Sequence, residues 1–421
     1  MKADLEELVS NKVIDPETAR RIREYYDLKS KASKASRLLL ILSITGIVLV
    51  GLGLILLIAY NWESLPKAFK LAFAFLPLAA TQTFGLWVLV KKGGLVLWHE
   101  SAALAILFAV GIAMSLVTQI YHIEGALSGF LQWWIILSAP LVPVFISDVV
   151  SLAVWIGTGW YLTSISWTRS DYDLFAPAVI LLALGWYSWR LRHEGLKKWM
   201  TFHHWVIPIV LTIYIFSLAP HTCNRFLLIA LLTLFMGFGG VAFTVFKGQG
   251  LLTNGFRTGQ FLGTWITGII LGFEFYWTSP LQDSLSRCIA DNPVFLPLVN
   301  LAVLGYLAYA LFRRFKESEP DDLGWMGLAL IAVVIAGSGY PGFGHIAANI
   351  ILLAGSARII YGGLSRENLW LLNLGLLTLA SWVISRFFET NISFVWKGLL
   401  FITLGILCFG LNWFILKKQR T

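Results

Sequence analysis

From residue 38 to residue 416 the chain is a succession of apolar runs broken by short polar stretches. Many of these runs approach the twenty or so residues that a helix needs to cross the hydrocarbon core of a bilayer. A chain patterned this way has few options. Each such run is long enough to be read as one bilayer-length helix. Composition agrees, with 13% charged and 57% hydrophobic residues, about half the charge of an ordinary soluble domain. The expected fold is therefore an all-α polytopic membrane bundle. Spans are expected near 38–60, 68–90, 97–118, 130–146, 149–167, 174–190, 205–219, 226–246, 259–278, 294–312, 323–338, 345–361, 368–386 and 394–416. The runs at 130–146 and 149–167, parted only by Ser147 and Asp148, also allow a re-entrant pair.

The net charge of +9 fits either nucleic-acid binding or loops that obey the positive-inside rule. Position decides between them. With alternate loops assigned to opposite sides, 25 of the 32 Lys and Arg residues fall on one side. That side is then cytoplasmic and holds both termini. The charges lie between apolar runs and form no basic face, so no nucleic-acid partner is expected. The lipid bilayer is the first partner.

Residues 1–37 are the one long polar stretch, followed by the bundle at 38–416 and a tail at 417–421. Asp15-Pro16-Glu17 reads as a helix start, with Asp15 as N-cap, Pro16 at the first helical position and Glu17 near the positive end of the dipole. A helix over about 4–11 completes a short cytoplasmic hairpin. The first apolar run begins only at Leu38 and is longer than a signal-peptide core, so it is expected to stay as a span. Cys223, Cys288 and Cys408 lie far apart in the sequence. No metal site or cofactor follows from them. Cys223 and Cys288 fall in loops assigned to the outer face, where either two free thiols or a disulfide would fit.

Several polar groups interrupt the apolar pattern. Gln119, Tyr121, His122 and Glu124 follow one another in an outer break, just before Trp133 and Trp134. A histidine beside a carboxylate can ligate a metal, and interfacial hydrogen bonding is the plainer alternative. Asn61 and Trp62 suit a helix end and a headgroup anchor. Glu274 reads as the only acid clearly inside an apolar run, facing either a cavity or, by snorkelling, the interface. Asn300 and Asn349 sit in spans, as substrate ligands or as bridges between helices. Gly337 to His345 is glycine-rich but lacks the Lys-Ser/Thr ending of a phosphate loop, and reads as an outer loop or a broken helix. Gly268 and Gly272 form a small-xxx-small pair for helix packing. His203 and His204 read as inner-surface residues. No catalytic signature is present.

The N-terminal Ile14-Asp15-Pro16-Glu17-Thr18-Ala19, the Asn61-Trp62 end of the first run, Gln119-Ile120-Tyr121-His122 leading to Trp133-Trp134, and Gly405 to Trp413 before Lys417-Lys418 together resemble a bacterial family. It is the predicted membrane protein family called domain of unknown function 2157. The resemblance implies a multi-pass inner-membrane protein with a possible small membrane protein partner, and it implies no substrate. Three functions fit these readings: a transporter, flippase or channel-like protein for a small molecule or envelope component; an enzyme at the outer interface using His122 and Glu124; and a sensor or assembly scaffold.

Overall fold

The computed structural model describes residues 64–91, 95–165, 174–194, 200–218, 224–246, 251–278, 324–337 and 340–389, with positions 11, 13 and 15–22 and scattered positions between 395 and 410. The expected spans at 38–60 and 294–312, most of 394–416, Asn61, Trp62, Asn300 and the three cysteines lie outside the described residues.

Every regular element described is a helix. In chain order they are α1 (Lys67–Lys91), α2 (Val96–Tyr121), α3 (Leu127–Ser138), α4 (Leu141–Phe145), α5 (Asp148–Ile165), α6 (Phe175–Glu194), α7 (Met200–Leu218), α8 (Asn224–Val245), α9 (Gly255–Leu271), α10 (Glu274–Thr278), α11 (Gly324–Gly337), α12 (Pro341–Ser365) and α13 (Leu369–Glu389). A 3-10 turn at Leu251–Thr253 precedes α9.

Among the described residues, 6 helical stretches are long and apolar enough to cross a membrane, including Lys67–Lys91, Val96–Tyr121 and Leu369–Phe387. Their outward faces suit lipid. Leu76, Phe108, Ile209, Ile350 and Leu377 are all exposed, and an apolar exterior of this kind would drive aggregation in water. The chain is a multi-pass all-α membrane helix bundle.

By contacts it divides into two compact units. One contains Met1–Pro77 and Leu116–His122; the other contains Leu78–Ser115 and Ile123–Thr421.

In the first unit, the Asp15 carboxylate accepts a hydrogen bond from the Thr18 amide at 3.0 Å and another from the Thr18 hydroxyl. This caps the helical residues 16–22. The hydroxyl bond, with the amide bond behind it, lowers the Asp15 carboxyl below its ordinary value of 3.8. The cap therefore contributes fully above the ordinary carboxylate range and is lost as pH falls through the lowered folded value. Hydrogen exchange at the Thr18 amide of the intact protein should be flat from neutral pH down to the ordinary carboxylate range, once intrinsic rates are corrected, and should accelerate below it. Asp15→Ala should remove that pH dependence.

The second unit holds the main core. Within it α5 packs on α3, α6 and α7; α8 packs on α7, α9 and α11; and α12 packs on α9, α11 and α13. Gly268 seats this packing, because a Cβ there would meet Leu352 at 2.8 Å and Leu330 at 3.2 Å.

Four boundaries differ from expectation, each for a local reason. The run at 130–146 is two helices, because Pro140 lacks an N–H and its ring opposes a continuing helix. The run at 259–278 is also two helices, parted at Gly272 and Phe273. It starts early because the buried Asn254 Oδ1 accepts from the Phe256 and Arg257 amides at 3.1 and 3.4 Å. In the glycine-rich 337–345 stretch, read as an outer loop or a broken helix, α11 ends at Gly337 and Pro341 opens α12, ahead of the expected 345. Its glycines admit the Trp277 ring: a Cβ on Gly337 or Gly344 would lie 2.4 or 2.6 Å from it. Finally, α7 begins at Met200, ahead of the expected 205, and carries His203 and His204 into the core.

Candidate functional site

The most concentrated chemistry lies where α2, α5, α6 and α7 meet, and it begins with the geometry of Ser147. Ile146, which ends α4, adopts φ 52° and ψ 44°. This left-handed conformation is costly for a β-branched side chain, about 1–3 kcal/mol. The turn points the next residues at α2. There the buried Glu100 carboxylate accepts from the Ser147 hydroxyl, from the Asp148 amide at 2.8 Å and from the Val149 amide at 3.1 Å. The Ser147 hydroxyl oxygen in turn accepts from the Val150 amide at 3.1 Å. Glu100 thus satisfies the otherwise unpaired N–H groups that begin α5, and the positive end of the helix dipole offsets its charge.

Asp148 faces α6. Its two oxygens accept from Arg190 Nε and Nη2 at 3.0 and 2.8 Å, a two-pronged pair. The two side chains are only 5% and 7% exposed. Two acids, one guanidinium and one helix terminus are therefore closed into a single buried knot. One turn further along α5, Ser151 Oγ lies 3.2 Å from His203 Nε2 of α7. The Tyr187 ring of α6 stacks on His203 and meets His204 edge-on, with centroids 5.9 and 6.1 Å apart.

Tyr187 also belongs to the wall of a cavity of about 570 Å³ bounded by α6, α7, α8 and the start of α9. Leu184, Leu211, Leu234, Phe238 and Phe256 make most of that wall, with Ser188 and Thr233 among the few polar groups. Its volume falls in the range of small-molecule sites. Arg190 follows Tyr187 by about one turn on α6, so one helix carries both the cavity wall and the ion pair. His204 lies behind the aromatic wall, its ring 4.1 Å from Phe246 and 5.8 Å from Phe256. It is fully buried, and neither ring nitrogen has a hydrogen-bond partner.

Residues 6–151 match the family described as Predicted membrane protein (DUF2157). The DUF2157 segment ends at Ser151, so it includes Glu100, Ser147 and Asp148, whereas their partners Arg190 and His203 come from later helices. The resemblance read at Gly405–Trp413 lies beyond the match. No curated protein and no solved structure matches the chain.

The polar residues singled out from sequence lie elsewhere. Gln119 and Tyr121 belong to the last turn of α2, not to a loop, and both are exposed, as are His122 and Glu124. Trp133 is exposed; Trp134 is half-buried and donates to the Leu107 carbonyl at 2.9 Å. Glu274 heads the short α10 and is exposed. Asn349 bridges helices: Nδ2 donates to the Gly272 and His345 carbonyls at 3.0 and 2.9 Å, and Oδ1 accepts from Trp382 Nε1 at 2.8 Å. Arg386 donates to the same Gly272 carbonyl and stands 4.4 Å over the Phe273 ring. Neither Glu274 nor Asn349 lines the cavity. Among the described residues, no group of three or more His, Cys, Asp or Glu is placed to hold a metal ion.

Sequence reading did not single out Glu100, Asp148 or Arg190, and it placed His203 and His204 at the inner surface, whereas both are buried. Glu100 was nonetheless inside the expected 97–118 span, so Glu274 is not the only acid within an apolar run. An acid and an arginine inside or bordering different apolar runs, each needing an opposite charge, was the signal available.

Proposed function

We propose that the protein is a transporter- or flippase-like membrane protein that takes an amphipathic small molecule or envelope component from the bilayer. The cavity between α6, α7, α8 and α9 carries this reading. It is large enough for a ligand, and its wall is overwhelmingly apolar. The ion pair supplies a means of coupling. Any movement that swings α6 away from α5 must part Asp148 from Arg190, which favours two discrete arrangements over continuous flexing. Glu274 and Asn349 are candidate polar groups for a route at the far end of the helices. The charge asymmetry supports an orientation with residues 1–37 and 417–421 in the cytoplasm of a bacterial cell and the bundle in its inner membrane. The hairpin within 1–37 is the proposed contact for a small membrane protein partner. The exposed positions of His122 and Glu124 lend less support to an enzyme at the outer interface.

Gly237 provides the test. It lines the cavity, and a Cβ there would meet nothing within 4 Å, so a larger side chain can enter the space without a clash at its base. Purified protein in proteoliposomes should accelerate the transbilayer movement of fluorescent lipid analogues. Gly237→Trp should reduce that movement to the protein-free rate, and Gly237→Ala should leave it intact. A fully active Gly237→Trp protein would contradict the proposal.

A further inference from the structure

We infer that His204 is a proton-binding site that opens the cavity, because a protonated imidazole at this position must reach water and the helices around it must part to admit it. The inference rests on the cavity reading above for its consequence and adds how that site is regulated. Two independent observations carry it.

The first is the state of the imidazole. His204 is fully buried, and neither ring nitrogen has a hydrogen-bond partner. A neutral imidazole carries one N–H donor and one acceptor, so both capacities are unmet in the closed bundle, at a cost in free energy. A proton makes the situation worse, because a second N–H and a full charge then lie in an apolar shell. The Phe246 ring, 4.1 Å away, offers a cation–π attraction that falls short of the hydration lost. Among the described contacts of His204 there is no acid. It touches Tyr187 of α6, Phe246 beyond α8 and Phe256 of α9. Its neighbour along α7 is His203, whose Nε2 lies 3.2 Å from Ser151 Oγ. From α5 the charged group is Asp148, already bound through both oxygens to Arg190 of α6. The last turn of α6 adds Arg192, His193 and Glu194. Arg257 lies in α9 and Arg225 at the far end of α8, and neither helix contains an acid.

The second is position. Tyr187, Phe246 and Phe256, the three rings against His204, all belong to the cavity wall. The backbone beside it leaves no slack, since a Cβ on Gly255 would lie 2.1 Å from the His204 carbonyl oxygen. The imidazole therefore reaches water only when α7 separates from α6 or from the start of α9, and either movement opens the wall. One proton selects the opened arrangement over the closed one.

In water an imidazole takes up a proton below about pH 6.5. When only the opened arrangement holds that proton, its population rises by up to about tenfold for each pH unit below this value. Hydrogen exchange at the Phe256 and Arg257 amides of the full-length protein in nanodiscs reads the opening, because both amides donate to Asn254 at the start of α9. Between about pH 7.5 and about pH 5, after correction for intrinsic rates, exchange should rise roughly thirtyfold in the wild type. His204→Phe, which keeps a ring among rings, should show no such rise and should unfold at a higher temperature than the wild type. His204→Leu should be equally flat, and if one variant fails to insert, the other decides alone. A flat wild type, or a rise that persists in an inserted variant, would overturn the proton site. A rise confined to the wild type together with a fully active Gly237→Trp protein would leave the proton site standing and contradict the transport reading; a flat wild type with an inactive Gly237→Trp protein would do the reverse.

Discussion

Arg190→Ala should destabilise the bundle by about 3–5 kcal/mol, the usual consequence of removing one partner from a buried ion pair. The expectation comes from what the substitution leaves behind. Asp148 keeps its buried position on α5, loses both guanidinium bonds, and remains next to Glu100, which is itself bound to the Asp148 amide. Two carboxylates would then share a low-dielectric site with only a helix terminus to offset them. The combination Asp148→Asn with Arg190→Met removes both charges and keeps much of the packing, so it should recover most of the loss. Reversible unfolding in mixed micelles would measure each variant. A single substitution no more harmful than the double one would mean that the pair is not closed as described.

The second large effect is expected at Gly255. A Cβ at this position would lie 2.1 Å from the His204 carbonyl oxygen and 2.5 Å from its carbonyl carbon. The obstruction is backbone, so no rotamer change relieves it. Gly255→Val must move the start of α9 away from α7, and with it the Asn254 cap and the Phe256 ring that lines the cavity. A loss at or above the upper end of the usual overpacking cost, about 3 kcal/mol, is expected. Ligand binding should fall together with stability. Gly185→Ala on α6 is the control, because a Cβ there meets nothing within 4 Å. It should be neutral or stabilising by about 0.5–1 kcal/mol. Unfolding of both variants under the same conditions separates a true close approach from a general intolerance of glycine replacement.

These two sites mark the boundary of what can be read from the chain. Helix positions follow from local pattern: α1, α5 and α11 lie within a residue or two of the expected runs because apolar length and flanking charge are local properties. The helix breaks at Pro140 and Gly272 were also written locally, in residues that oppose continuation or permit a tight turn, although hydropathy alone ran through both. The buried knot is different. Glu100 pairs with residues 47 to 49 positions further along the chain, at 147–149, and Asp148 pairs with Arg190, 42 positions on. Each of these residues sits at or near the end of an apolar run, where a charged group looks like an ordinary loop or flank. Only the packing of α5 against α6 and α7 turns those run ends into an interior. His203 and His204 were hidden for the same reason, since a His-His pair before an apolar run resembles a surface turn until α7 is seen to start earlier. Conversely, Asn349 was visible from sequence, but its role as a bridge depends on the Gly272 and His345 carbonyls and the Trp382 indole.

The cavity is the part of the account on which function depends, and its occupancy can be measured without knowing the reaction. Native mass spectrometry of the full-length protein, released from detergent after extensive delipidation, would report any retained amphipath. Wild type should keep a single tightly held molecule, and Gly237→Trp, which fills the space where a Cβ meets nothing within 4 Å, should keep none. An empty wild-type protein, or a Gly237→Trp protein that retains the same molecule to the same extent, would contradict a ligand site between α6, α7, α8 and α9.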